Sequence, residues 1–359
     1  MAAEYQGIPA LRDRVLAGIS ERIVGQKAVI QELLTAFFAG GHILVIGVPG
    51  LAKTLLVRTL AELLDLEFSR VQFTPDLMPQ DIAGTTILTA DDDQGDRTFR
   101  FREGPIFANL LLADEINRTP PKTQAALLEA MEEGQVSVMG QRHPLPEPFF
   151  VMATQNPLEL EGTYPLPFTQ LDRFTFQVAL DYPQVEEELD VVSMTTSHLH
   201  GPLEPVIPKG WVDRALSEIQ QVMIPDHILK RATRIVRATR PGEADAPEIA
   251  AELLSHGAGP RGVQAILTTA RAGAALDGRD TVSNKDLNAV LFPAIRHRLG
   301  LSVHAEAEGL TADEVLRKIL ISIGDTVEES TTSKTSEVGI FRKWLDRLAE
   351  TTPIFRKSD

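Results

Sequence analysis

Between His42 and Ala179 the chain alternates short apolar runs with stretches whose apolar residues recur at helical spacing. The runs are His42–Gly47, Phe68–Phe73, Asn109–Asp114, Phe149–Thr154 and Thr175–Ala179. Strands separated by helices predict a parallel sheet covered on both faces. Such sheets bind ligands at the carboxyl ends of their strands, where Gly47, Asp114 and Thr154 fall. Two pieces interrupt the alternation. Thr85–Leu88 and Thr98–Phe101, joined by an acidic stretch over 91–96, predict a hairpin with a polar tip. After a helix over Lys122–Glu133, Gly134 reads as its C-cap. Gln135–Val138 and Arg142–Pro146 then predict a second hairpin turning near Gly140.

Near Asp181-Tyr182-Pro183 the pattern changes and is helical to about Leu301, with breaks at Pro202, Pro225, Pro241-Gly242 and 257–260. Pro225–Thr239 and Gly262–Leu276 carry apolar residues at helical spacing, and Ser283 is placed to cap a further helix. Leu310–Ile323 predicts another, capped by Thr311. Glu329–Glu337 is a Ser/Thr-rich linker pattern. In Val338–Leu348, Ile340, Phe341, Trp344, Leu345 and Leu348 share one helix face, suited to docking on a partner or on this chain. The expected organisation is an α/β part over 1–180, with inserts near 84–103 and 135–146, a small all-helical part over 181–305, and a tail over 306–359.

The 359 residues suffice for two domains, each with its own core. A formal net charge of −15 argues against general nucleic-acid binding, which needs clustered Lys and Arg, but is compatible with a local basic pore in an oligomer. Cys is absent, so no disulfide framework or thiolate metal site forms. Met1-Ala2-Ala3-Glu4-Tyr5 shows no basic-then-apolar leader and no apolar run matches a bilayer, so the expected location is cytoplasmic.

The chemistry concentrates at two strand ends. Gly47-Val48-Pro49-Gly50-Leu51-Ala52-Lys53-Thr54 follows the apolar run Ile43–Ile46 and opens a helical segment that continues through Leu55 to Leu64. Loop N–H groups and the positive end of a helix suit a polyphosphate. Lys53 is placed to reach the β/γ-phosphates and Thr54 to ligate Mg²⁺. The glycine usual just before the lysine is Ala52, read as a negative-φ position at the helix start that tolerates a Cβ. Leu110–Glu115 is a buried-strand pattern ending in two carboxylates. Asp114 completes a Mg²⁺ shell and Glu115 polarises the attacking water. Asn156, past a further strand, reaches the γ-phosphate or that water. Arg173 projects from one subunit into a neighbour's site, or pairs with Asp172 or another nearby carboxylate. Arg261, at a helix start after Gly259-Pro260, leans onto the β/γ-phosphates and reports ATP to the helical part. His198 and His200 lack a third ligand and read as a solvated helix end, leaving Mg²⁺ with ATP as the only expected metal.

Taken together, the chain resembles an AAA+ ATPase of the MoxR family over about Ile23 to Leu301. The resemblance rests on Gly25-Gln26, Gly47–Thr54, Asp114–Arg118, Ala153–Pro157, Glu161–Pro165, Leu171–Phe174 and Pro260-Arg261, and most specifically on Phe101–Pro105 through Gln155–Pro157. It implies an AAA+ P-loop sheet followed by a helical lid. Lys53 and Thr54 become Walker A residues, Asp114 and Glu115 the Walker B pair, Asn156 sensor 1, Arg173 an arginine finger and Arg261 sensor 2. Val24, within Ile23–Gln26, edges an adenine pocket. The hairpins line the central face of a ring, expected to be a hexamer. The implied activity is ATP-driven remodelling of partner proteins, aiding their maturation or cofactor insertion, often with a von Willebrand factor A-type partner. Phe168-Thr169 departs from the Glu-Ala usual there. Rival readings are an ATP-gated scaffold without useful hydrolysis and a DNA-handling AAA+ protein. Phosphate release separates the first, and salt-dependent DNA binding would revive the second.

Overall fold

The computed structural model describes residues 6–48, 50–90, 97–157, 162–197, 205–208 and 210–325. Pro49, the hairpin tip over 91–96, Glu161, His198, His200 and the tail beyond Asp325 lie outside the described residues.

Two helices precede the sheet, α1 (Ile8–Ser20) and α2 (Lys27–Phe38). The α/β part then runs β1 (Ile43–Gly47), α3 (Lys53–Leu64), β2 (Phe68–Gln72), α4 (Pro79–Ala83), the hairpin β3 (Gly84–Ala90) and β4 (Arg97–Glu103), and β5 (Leu110–Asp114). It continues with α5 (Pro121–Glu133), the hairpin β6 (Gln135–Val138) and β7 (Gln141–Pro144), β8 (Phe150–Gln155), α6 (Phe168–Leu171) and β9 (Phe176–Leu180). The rest comprises α7 (Val185–Ser197), α8 (Trp211–Ile219), α9 (Asp226–Ala238), α10 (Glu248–Leu253), β10 (Leu254–His256), α11 (Pro260–Leu276), α12 (Asn284–Ile295), β11 (Gly300–Leu301), α13 (Val303–Ala307) and α14 (Ala312–Ser322).

The sheet is parallel, in the order β2-β5-β8-β1-β9. Period-2 alternation decides what each residue buries. Ile43, Val45, Leu110, Leu112, Phe150 and Met152 face one layer, while Leu44, Leu111, Ala113, Val151 and Ala153 face the other. Both sets are buried, which is why the strands read as continuous apolar runs. The first layer joins α1, α2 and α3 to the helices of the C-terminal half in one apolar cluster. The expectation of two separate cores is therefore replaced by one shared core, because α11 packs on α1 and α2 as well as on α9 and α12. The second layer packs α5 and the base of the hairpins through Ile82, Leu127, Leu128 and Val136.

Local signals act where expected. Gly134 ends α5 at φ 62°. Met139 (φ 50°) and Gly140 (φ 81°) turn the second hairpin. Ser283 and Thr311 begin α12 and α14 with capping boxes. Among its described residues the helical half also carries a short antiparallel pair, β10 with β11. Strands of two and three residues leave no readable alternation.

Candidate active site at the strand ends

The loop after β1 is tied at both ends and open between them. Val48 and Leu51 are buried in the core. A Cβ on Gly47 would lie 2.6 Å from the Leu180 carbonyl, so only glycine lets β1 run this close to β9. Gly50, at φ +86°, has nothing within 4 Å of where a Cβ would stand. Ala52 overturns its expectation. It precedes α3 in the left-handed region, at φ 56° and ψ 19°, not at negative φ. The helix starts one residue later, so the turn into it still demands the glycine conformation. A Cβ there costs about 1 kcal/mol.

Lys53 opens α3. Its Nζ donates to the Gly47 carbonyl at 2.9 Å and the Val48 carbonyl at 3.1 Å. Burial holds its pKa below the usual lysine range, and the nearby Asp114 and Glu115 carboxylates oppose that shift. Thr54, the next residue, is half-buried. Leu55 is exposed. Gln26 Nε2 lies 3.4 Å from the Leu51 carbonyl, which brings the half-buried turn at Val24 and Gly25 beside the loop. A Cβ on Gly25 would strike the Glu187 carboxylate of α7, so the same turn also abuts the helical half.

Asp114 ends β5, between the ends of β2 and β8. Its Oδ1 accepts from Thr154 Oγ at 2.6 Å and its Oδ2 from Arg70 Nη2 at 2.8 Å. Glu115 sits at φ 58° and leads into a 3-10 turn over Ile116–Arg118. Its N–H donates to Thr154 Oγ at 2.8 Å. Its carboxylate accepts from Gln72 Nε2 at 2.7 Å and Arg118 Nη1 at 3.1 Å. Asn156 is buried just past β8, between β5 and β1. Lys53, Thr54, Asp114, Glu115 and Asn156 thus share one edge of the sheet. Gln72 and Arg70 carry no signal in the sequence: they reach the site because β2 neighbours β5, and strand order cannot be read from the pattern. Arg118, quoted only within Asp114–Arg118, reaches Glu115 from the turn that follows β5.

Arg173 and Arg261 stand elsewhere. Thr175 N donates to the His42 carbonyl at 2.8 Å, so Arg173 lies where β9 and β1 begin, not where they end. Its Nη2 is 3.1 Å from Glu132 Oε2, near the end of α5, and Arg261 pairs with Oε1 of the same carboxylate. Arg261, expected to lean onto the β/γ-phosphates, sits with Arg173 across the sheet from its own Lys53, about 15 Å of strand away. Asp172 pairs instead with Arg298 at 2.8 Å. Phe168, at the departure from the family pattern, sets its ring edge-on to His256 of β10, with centroids 3.9 Å apart.

The donors fit magnesium and a triphosphate. One carboxylate and one hydroxyl at a helix start are hard oxygen ligands, and an open glycine turn beside an ammonium suits phosphate oxygens. Among the described residues no group of three or more His, Cys, Asp or Glu is arranged to hold a metal ion.

Comparison with known proteins agrees with this geometry. Residues 42–176 match the ATPase family associated with various cellular activities (AAA), and residues 246–319 match the AAA lid domain. The chain is 42% identical to the uncharacterised protein YeaC of Bacillus subtilis, covering 91% of this chain and 99% of that one. It is 39% identical to Chaperone MoxR1 of Mycobacterium tuberculosis, covering 87% and 81%. An ATPase candidate of known structure from Cytophaga hutchinsonii superposes with a TM-score of 0.80 at 40% identity, covering 89% of this chain and 96% of that one. With a Lys53 loop facing an Asp114-Glu115 strand end, and relatives of this similarity along most of its length, the chain belongs to the MoxR family of AAA+ ATPases.

Proposed function

We propose that the protein hydrolyses ATP to drive the remodelling of partner proteins, working as a ring in the cytoplasm. The observation that carries the reading is the meeting of Lys53, Asp114 and Glu115 at one strand edge, with Thr154 bridging the two acidic residues. Lys53 binds the β/γ-phosphates. Thr54 and Asp114 hold magnesium, whose charge offsets that of the phosphate oxygens when bound. Glu115 orients the attacking water and takes up its proton, once turned from Gln72 and Arg118. Asn156 places that water or the γ-phosphate.

Arg173 and Arg261 act on the next copy. Both are too far from their own loop, and Glu132 keeps the two cations side by side by offsetting their repulsion. A finger of this kind contributes about 10³–10⁵ in rate in comparable phosphoryl transfers. The name of the Mycobacterium tuberculosis relative supports a chaperone role. Within it, the two hairpins form the client-facing element. Phe101 of β4 stacks on His143 of β7 at 3.8 Å, linking them, while Phe99 and Met139 stay exposed. A hexamer and a von Willebrand factor A-type partner complete the proposal.

Subunit mixing tests the neighbour's role. Arg173→Ala and Glu115→Gln proteins are each expected to release little phosphate alone. Mixed, they should regain turnover, because Glu115→Gln subunits carry an intact Arg173. Arg173→Ala protein that turns over normally by itself would contradict action across the interface.

A further inference from the structure

The run from Phe168 to Thr175 packs Leu171 and Phe174 into the α/β layer and is also fastened to the helical half of its own chain. Arg298, just past α12, has a side chain only 3% exposed. Its Nε donates to Asp172 Oδ1 at 2.8 Å. Its Nη2 donates to the Phe174 carbonyl at 2.7 Å and the Asp172 carbonyl at 3.0 Å, and its Nη1 to the Thr175 carbonyl at 3.3 Å. The same Nη1 also meets the Ala294 carbonyl, tying the guanidinium back into α12. His297 Nε2 lies 2.9 Å from the Phe174 carbonyl, and Phe168 closes the contact on His256. Backbone on both sides of Arg173 is thus fastened to the helical half, while the Arg173 side chain leads away to Glu132.

A fork with this many acceptors has one fitting geometry, and a point-charge ammonium cannot reproduce it. Misplacing a reacting or charge-stabilising group by about 1 Å can cost about 100-fold in rate. We propose that Arg298 is a positioning residue for ATP hydrolysis in the adjoining copy: it clamps the Arg173 segment to the helical half, so that displacing that half moves the finger with it. The inference rests on the proposed action of Arg173 across the interface. It supplies a route by which the nucleotide state of one copy reaches the site of the next.

The test uses the full chain carrying Arg298→Lys, with Arg173→Ala measured in parallel. Arg298→Lys should lower kcat about tenfold or more while leaving ATP affinity and KM close to those of the unchanged protein. Adding Glu115→Gln subunits, whose Arg298 is intact, should restore hydrolysis at the variant's sites; a general loss of structure would not respond to the neighbour. If Arg298→Lys does not fold, Asp172→Asn serves. It keeps the guanidinium and its carbonyl bonds, removes the charged anchor, and should also lower kcat with rescue by mixing. A wild-type kcat in either folded variant, or a loss that mixing leaves unrepaired, overturns the assignment. Normal turnover by Arg173→Ala would instead overturn the reading beneath it.

Discussion

Ala52 is a residue whose identity and conformation disagree. A side chain in the left-handed region is strained, and glycine removes the clash. Ala52→Gly is therefore expected to stabilise the chain by about 1 kcal/mol, a rise in urea midpoint at unchanged slope. A fall in midpoint would show that the loop relaxes around alanine. Thr154 makes the opposite case, an ordinary residue doing a particular job. Its hydroxyl donates to Asp114 and accepts from the Glu115 N–H, and it is buried. Thr154→Val keeps the shape and orphans both groups, at a cost of about 1–3 kcal/mol. Magnesium-dependent ATP binding should weaken too, as Asp114 loses its orienting partner; titration with and without magnesium measures this. The key residues Lys53, Asp114 and Glu115 were legible because strand, turn and helix signals flank them. The backbone angle at Ala52 was not, since it depends on where the helix takes its first turn.

At the level of elements, His42 ties three together at the strand starts. Its Nε2 meets the Met131 carbonyl at the end of α5 at 3.1 Å, and its Nδ1 accepts from Val151 N of β8 at 3.1 Å, just ahead of β1. The bond from Val151 N needs an unprotonated Nδ1, and burial, opposed by the Met131 bond, lowers the pKa from 6.5 to about 4. The unfolded chain therefore takes up this proton first. The contribution of His42 is complete above pH 6.5 and is lost as pH falls toward 4, by about 3 kcal/mol in all. Glu32 of α2 has the opposite sign. Burial raises it from 4.5 to about 7, so its contribution is lost as pH rises through that window. The comparison that isolates His42 is unchanged protein against His42→Asn. The unchanged protein should lose more stability between pH 6.5 and 4, read by urea unfolding at each pH. Equal losses would contradict the assignment. The strands, both hairpins and their caps were readable from the chain because each obeys a local period or turn rule. Strand order was not, and with it went the contacts from Gln72 and Arg70, which depend on β2 lying beside β5.

For the whole molecule, the shared core carries the consequence. The first face of the sheet, α1 to α3 and the helical half are one apolar body, and Arg298 adds a polar fastening at the strand starts. In the proposed function the two ends of the sheet do different work: Lys53, Asp114 and Glu115 serve the chain's own nucleotide, while Arg173 and Arg261, paired on Glu132, serve the next copy. The sequence motifs named both arginines. Their common place opposite the loop emerges only from the packing of α5 and α11 against the strand starts, contacts between residues far apart in the chain that no local pattern encodes. Binding and cleavage of ATP at the Lys53 edge come before every other step of the proposed function. Phosphate release with magnesium and ATP, measured beside nucleotide binding on the same samples, tests this most directly. The unchanged protein should bind and turn over, and Glu115→Gln should bind comparably and release almost nothing. Equal release from both proteins, or no nucleotide binding by the unchanged one, would contradict it.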